Sequence, residues 1–452
     1  MAKSRATFTC TECGAVFSAW TGKCTNCGEW NSLVETLPSE AEEVVGKNAL
    51  SKGQISGKLL EFTNIKSIVS SDAKERLKTG FTDLDIVLGG GILIGSVTLL
   101  TGQPGIGKST LLMQICAKIA EKKSVLYISG EESAGQVKLR AERLGANSDN
   151  LSFASSTSGN DISKTIESGK FDFVVVDSIQ TLSLAEISSA PGSVSQVTNC
   201  GNLIIRAAKA TDTAVVIVGH VTKEGTLAGP KVLEHLVDVV INFEGDRYGG
   251  FKTVRAVKNR FGSTSEVAIF EMNETGLKEV QNPSAALLAE RQNTDGSIIL
   301  ATLEGARPLL VEIQALTSTS NYGYPNRTVS GFDLNRLKLL IAVLERRTRL
   351  KLSDKDIFIN VVGGIKLNDS AADLAICLAI ASAVAERRLS EDYVVFGEVG
   401  LGGEIRSAFR PDQRISEAKK LGFKRAIAPA TIKDKFVIPV KDLRETLIKY
   451  VK

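Results

Sequence analysis

The sequence predicts a multidomain α/β protein, and three observations carry that expectation. Four of its seven cysteines fall within the first 27 residues. From about residue 59, short apolar runs rich in β-branched residues alternate with helical stretches, the pattern of strands buried on both faces and joined by crossover helices. After about residue 281 a second round of that alternation begins. The 452 residues, at a nominal ~150 per domain, accommodate about three units. With 43% hydrophobic and 23% charged residues, the chain is neither disordered nor collagen-like. No apolar run reaches the ~18 residues of a membrane helix, and the start MAKSRATFTC has no apolar h-region of a signal peptide; with the odd number of cysteines, a cytoplasmic protein without membrane contact is expected.

The cysteines of the first module are Cys10, Cys13, Cys24 and Cys27, spaced C-x2-C-x10-C-x2-C, with Gly14 and Gly28 after the two pairs. Two such turns present four thiolates to one tetrahedral Zn2+, with glycine permitting the tight knuckle. A redox dithiol pair is the alternative. An odd cysteine total without a secretion signal argues against a disulfide framework. A module this short has too little core to fold unaided, so metal binding would supply its folding energy. Four cysteines leave no open coordination position, which points to support or docking rather than catalysis. The zinc module is expected over 1–30 and a polar linker over 31–58.

Residues 59–280 read as a nucleotide-binding core. SVTLLTG (96–102), SVLYISG (124–130), FDFVVVDS (171–178) and TAVVIVGH (213–220) predict buried parallel strands. STLLMQICAKIAEKK (109–123) predicts an amphipathic helix between the first two, and FKTVRAVKNRFG (251–262) with EVAIFEMNETG (266–276) a closing antiparallel pair. Between the first strand and that helix stand Gly102, Gln103, Pro104, Gly105, Ile106, Gly107, Lys108 and Ser109, followed by Thr110. This is G-x-x-x-x-G-K-[ST] in the strand-to-helix context a P-loop requires. Backbone N–H groups at a helix N-terminus would wrap the phosphates of ATP, Lys108 would meet the β- and γ-phosphates, and Ser109 would ligate Mg2+.

Hydrolysis also needs carboxylates. Asp177 ends FVVVD and fits the Walker-B position, holding Mg2+ through its water shell. Glu131 and Glu132 follow another strand, at the edge that faces ligand in an open α/β sheet. Glu131 is favoured to polarise the attacking water, against the reading of both as solvated loop acids. His220 closes a third strand, either as a γ-phosphate sensor that relays to the loop 221–229 or as a hydrogen-bonded core histidine. His235, in a helical stretch, reads as structural. Lys258 and Arg260 share one face of an extended segment, and could act as fingers on a neighbouring subunit's γ-phosphate or form an ordinary solvated strand end.

Residues 281–452 carry 26 Lys and Arg against 20 Asp and Glu, whereas 1–280 carry 29 against 31. The excess permits a nucleic-acid partner without demanding one. Here LLVEIQALTS (309–318) and DIFINVVGG (356–364) predict strands, and LNRLKLLIAVLERR (334–347) and AADLAICLAIASAVAERR (371–388) helices.

The zinc module, the P-loop segment TGQPGIGKSTLLMQ (101–114), KNRFG (258–262) and the C-terminal unit together resemble the bacterial RadA/Sms family of RecA-related DNA repair proteins over nearly the whole chain. GFTDLDIVLGGGILIGS (80–96), SAPGSVSQV (189–197) and LEGARPLLVEIQAL (303–316) look like segments of the same family. The resemblance implies a RecA-like core in a hexameric, DNA-stimulated ATPase. Such a protein would bind single-stranded and branched DNA, translocate on it, and promote branch migration of recombination intermediates with RecA recombinase. It supports functional roles for Lys258 and Arg260 and makes 189–201 a DNA-facing loop. This chain reads QVTNCG where charged residues are expected after QV, which weakens DNA contact at positions 198–199.

The C-terminal unit resembles the proteolytic domain of Lon, which uses a Ser-Lys dyad. The resemblance sets Ala371 at the nucleophile position, with Ser370 one residue early and about 100° away around a helix. The later segment SAFRPDQRISEA offers Arg410 and Arg414 but no Lys, and Arg cannot serve as the base. A peptidase is therefore disfavoured against a DNA motor, and a ring-forming scaffold is the better reading of this unit. The third alternative is a RecA-like regulatory ATPase that does not act on DNA.

Overall fold

A strand that is apolar on consecutive residues must be covered on both faces, and the strands of the central core are covered in this way. The computed structural model describes residues 7–11, 16–17, 19–26, 28–36, 64, 75–220, 231–245, 251–320 and 325–451. Cys13, Cys27 and the segment 221–230 lie outside the described residues, as does the expected linker 31–58 beyond position 36; its first residues are not linker, because Leu33–Thr36 is a strand paired with Thr7–Cys10 in the N-terminal module. The chain divides into two compact units: Met1–Glu244 with Val254–Thr264 and Glu274–Leu277, and Gly245–Thr253 with Ser265–Asn273 and Lys278–Lys452.

The first unit starts with a small antiparallel sheet of β1 (Thr7–Cys10), β2 (Val16–Phe17) and β3 (Leu33–Thr36), in the order β2-β1-β3. Its core is Cys10, Cys24 and Leu33, with Phe8 and Phe17 packed against them. Next come β4 (Arg76–Leu77), α1 (Thr82–Val87) and β5 (Ile92–Leu93). The main core follows as β6 (Val97–Gly102), α2 (Lys108–Ile119), β7 (Val125–Ser129), α3 (Ala134–Arg143), β8 (Leu151–Ser155), α4 (Gly159–Glu167), β9 (Phe173–Asp177), α5 (Val194–Ala210), β10 (Ala214–His220), α6 (Lys231–Leu236) and β11 (Val239–Gly245).

These strands run parallel in the order β11-β6-β10-β9-β7-β8. Every residue of β6, β7 and β9 is buried. The four strands read from the sequence are therefore present, each within two residues of its expected start and one of its end. The chain then runs through β12 (Lys252–Asn259), β13 (Val267–Asn273) and β14 (Gly276–Glu279).

One expectation fails here. The resemblance makes 189–201 a loop, yet Val194–Ala210 is a helix. Ser193 caps it by accepting from the Gln196 N–H at 3.3 Å. The buried Gln196 side chain donates to the carbonyls of Leu184, Ile187 and Ser189 and accepts from the Leu184 N–H at 2.8 Å. The preceding loop is thus folded over this one amide. Ser195 Oγ and Asn199 Nδ2 both donate to the Glu35 carbonyl of β3, at 2.8 and 2.9 Å. The uncharged side chain at 199 docks the N-terminal module.

The second unit continues with α7 (Pro283–Leu288), β15 (Ser297–Glu304), β16 (Arg307–Thr319), β17 (Arg327–Ser330), α8 (Leu334–Val343), β18 (Lys355–Val361), α9 (Ala372–Ala385), β19 (Tyr393–Val395), β20 (Glu398–Val399), β21 (Ile405–Arg406), α10 (Pro411–Lys420), β22 (Arg425–Pro429), β23 (Val437–Val440) and α11 (Leu443–Tyr450). Its sheet has the order β17-β18-β16-β15-β19-β22-β23 and mixes antiparallel with parallel pairs. α9 is buried from Ala372 through Ser382, as a helix apolar on every side must be, and its one buried charge, Asp373, is paired with Arg336 of α8.

The region of the Lon-type dyad is closed in this unit. Ala371 is fully buried and its N–H donates to Asp369 at 3.0 Å, while Ser370 is exposed. Arg414, 1% exposed, donates to Asp369 at 2.6 Å, to the Ala301 carbonyl at 2.7 Å and to the Phe409 carbonyl at 3.1 Å. Burial opposes ionisation of Asp369, but the Arg414 hydrogen bond and charge outweigh it and hold the carboxyl below its ordinary range. This pair is an internal strut with no reactive end.

A candidate nucleotide site at the carboxyl edge of the sheet

The P-loop is built by close backbone approach. A side chain at Gly102 would stand 2.6 Å from the Phe243 carbonyl on neighbouring β11, so only glycine lets the two strands pair there. Gly107, at φ 117°, turns the chain into the first residue of α2. The N-terminus of this twelve-residue helix lies at the end of β6, where its dipole favours an anion. Lys108 is 4% exposed and donates to the carbonyls of Gly102 at 2.8 Å and Gln103 at 3.1 Å. Burial lowers its pKa to about 8, although the charges of Asp177 and Glu131 pull in the other direction.

Strand register brings the carboxylates to the same edge. Asp177 pairs with Ser129 across β9 and β7, and His220 pairs with Gly102 across β10 and β6. Asp177 Oδ2 accepts from Ser109 Oγ at 2.7 Å and from Tyr127 Oη at 2.6 Å. A serine hydroxyl against a carboxylate beside a phosphate cradle is the hard-oxygen set that suits Mg2+. Burial, then the Asp177 charge, push the Tyr127 phenol well above its ordinary pKa, so it stays a donor.

The two glutamates separate in role. Glu132 is taken by Arg140, whose guanidinium makes two contacts with the carboxylate, one of them at 2.6 Å. Glu131 instead accepts from Ser178 Oγ at 2.6 Å and lies 3.5 Å from His220 Nε2. Glu131, His220 and Asp177 therefore gather around Lys108, while Glu132 is spent on an ion pair. Nδ1 of His220 is buried and has no partner among the described residues.

Lys258 and Arg260 lie elsewhere. Lys258 Nζ donates to the carbonyls of Glu234, His235 and Val237, closing the C-terminal end of α6. Burial, then the Arg260 charge, lower its pKa. Arg260 pairs with Asp238 at 3.0 Å, and its N–H donates to the Asp238 carbonyl. The Asp238 N–H donates to the Val97 carbonyl. These contacts place both cations at the amino edge of β6, roughly 16 Å of strand from Gly102 at ~3.3 Å per residue. His235 lies within α6, as expected.

Tyr127, Ser178 and Arg140 are functional neighbours that sequence reasoning missed. Tyr127 stands in a run of apolar strand residues and reads as core. Ser178 and Arg140 meet their partners only through sheet pairing and the return of α3. In the N-terminal module, Cys10 and Cys24 bring two buried thiols into one small cluster, which fits a thiolate metal site. Cys116, Cys200 and Cys377 are buried and form no disulfide; burial pushes the Cys200 thiol up to about 12.

Residues 66–226 match the family described as AAA domain. Residues 8–35 match the rubredoxin metal binding domain, and 322–432 the subunit ChlI of Mg-chelatase. The chain is 47% identical over 432 residues to the DNA repair protein RadA of Pseudomonas aeruginosa, covering 95% of this chain and 94% of that one. It is 48% identical over 443 residues to the protein of the same name from Bacillus subtilis, covering 97% and 95%. With that of Aquifex aeolicus it shares 43% over 451 residues, 99% of each chain. A crystal structure of the RadB recombinase aligns with a TM-score of 0.37 at 21% identity, over 45% of this chain and 100% of that one.

The lowered pKa of Lys108 has a consequence for binding. Phosphate charge favours the protonated amine, so ATP binding must take up a proton once the free lysine has lost it. ATP affinity should be flat below pH 8 and fall above it, by up to about tenfold per pH unit. Lys108→Arg, which stays protonated, should lose this slope. Equilibrium binding from pH 6.5 to 9.5 checks it, and a flat wild-type profile would contradict it.

Proposed function

The chain belongs to the RadA family of DNA repair proteins, and from that premise we propose that it is a DNA-dependent ATPase of homologous recombination. In this reading it binds single-stranded and branched DNA, translocates on it, and promotes branch migration with RecA recombinase in the cytoplasm. The observation that carries the ATPase chemistry is the meeting of Lys108, Ser109, Asp177 and Glu131 at one sheet edge.

Gly102 to Thr110 would hold ATP, with backbone N–H groups and Lys108 on the β- and γ-phosphates. Ser109 and Asp177 would hold Mg2+, which when bound neutralises phosphate charge. Glu131 would accept the proton of an attacking water, a reading supported by its contacts with Ser178 and His220 and its freedom from the Arg140 ion pair. His220 would report the γ-phosphate to the segment that follows it. Lys258 and Arg260 are too far from the P-loop of their own chain, so a catalytic role for them requires the nucleotide of a neighbour. That supports a homo-oligomer, with a hexameric ring as the form the family resemblance implies. Cys10, Cys13, Cys24 and Cys27 would hold one structural Zn2+. The peptidase alternative is not favoured, because Arg414 is locked on Asp369 and Ala371 is buried.

Glu131→Gln should bind ATP normally and lose about 100-fold or more in turnover, whereas Glu132→Gln should lose far less. Equal losses in single-turnover assays would remove the distinction. Cys24→Ser should release the zinc and loosen the N-terminal module while the ATPase core still melts cooperatively. One equivalent of zinc retained by atomic absorption would count against a four-cysteine site. The test of the whole proposal is ATP hydrolysis with and without single-stranded DNA at low and moderate salt. The rate should rise with DNA and the rise should fade with salt. Arg260→Ala should keep nucleotide binding and lose the stimulation. A rate indifferent to DNA at both salts would leave a regulatory ATPase.

A further inference from the structure

We propose that Tyr127 is a positioning residue for the magnesium-binding carboxylate: its phenol pins Asp177 Oδ2 and so sets the affinity of the site for a divalent cation. The inference rests on the reading of Asp177 given above. Tyr127 is 1% exposed and Asp177 8%, so neither can exchange its partner for bulk water. On β7, Tyr127 lies opposite Val175 of β9, two residues before Asp177, hence on the same face of the sheet. An aromatic side chain spans that diagonal, and here its hydroxyl ends 2.6 Å from Oδ2.

The same oxygen accepts from Ser109 Oγ at 2.7 Å. Two donors on one oxygen fix the plane of a carboxylate that would otherwise rotate about its last bond. Oδ1 accepts from no described residue, which leaves it to water in the magnesium shell. Without the phenol only Ser109 would hold the group, and Ser109 would itself be called on to bind the metal. Each movement of the carboxylate would then disturb the ligand as well. Side chains that orient a metal-binding group in this way commonly control affinity tenfold or more.

The experiment compares wild type, Tyr127→Phe and Asp177→Asn. Mn2+ binding is read by electron paramagnetic resonance on each protein saturated with a non-hydrolysable ATP analogue, and Mg2+ half-saturation is read separately from hydrolysis of ATP in the absence of the analogue. Tyr127→Phe keeps the ring and its packing. It should raise half-saturation for both ions about tenfold, with metal-free nucleotide affinity and the rate at saturating Mg2+ near wild type. A tyrosine that only packs would lower the melting temperature and leave the Mn2+ titration where it was. A Tyr127→Phe titration matching wild type, while Asp177→Asn binds Mn2+ more weakly, would overturn this inference alone. Unchanged Mn2+ binding in Asp177→Asn would overturn the assignment of Asp177, and the role of Tyr127 with it.

Discussion

The parallel register of β6, β10, β9 and β7 is the constraint on which the ATPase core depends. Because Gly102 pairs with His220 and Ser129 with Asp177, four strands end together, and whatever follows each of them shares one edge. The P-loop follows the first, Asp177 ends another, and Glu131 follows a third. None of these groups is near another in sequence. The consecutive apolar residues that force burial on both sheet faces therefore also assemble the chemistry at the rim.

That rim holds a graded set of charges. Lys108 is buried beside two carboxylates, which oppose the burial that lowers its pKa. Asp177 is fixed by two hydroxyls, Glu132 is neutralised by Arg140, and Glu131 keeps weaker partners in Ser178 and His220. A carboxylate meant to take a proton must not be locked in an ion pair, and one meant to hold a metal must not swing. The two neighbouring glutamates differ in this respect through the fold alone.

Beyond the rim, side chains expected to be catalytic or to contact DNA do architectural work. Gln196 folds the loop before α5, while Ser195 and Asn199 tie that helix to the last strand of the N-terminal module. Lys258 closes α6 and Arg260 closes on Asp238 at the amino edge, so within one chain both are structural. In the C-terminal unit, Arg414 and Asp369 bind each other and four backbone groups around them where a peptidase would need a mobile base.

The sequence by itself determined the α/β class, the strands of the core, the P-loop and its order before Asp177, and the pairs of cysteines. These are local signals: period of apolarity, a glycine-rich turn between strand and helix, and spacing along the chain. It also carried the choice of Glu131 over Glu132 only as a preference, since the arginine that takes Glu132 is eight residues on and reaches it by a helical return. Tertiary structure alone decided that Tyr127 reaches Asp177, that 194–210 is a helix docked on β3, and that Lys258 and Arg260 sit at the amino edge of the sheet, away from the P-loop of their own chain. Hydrogen bonds across strands and between elements depend on register and packing direction, and neither leaves a periodic mark in the sequence.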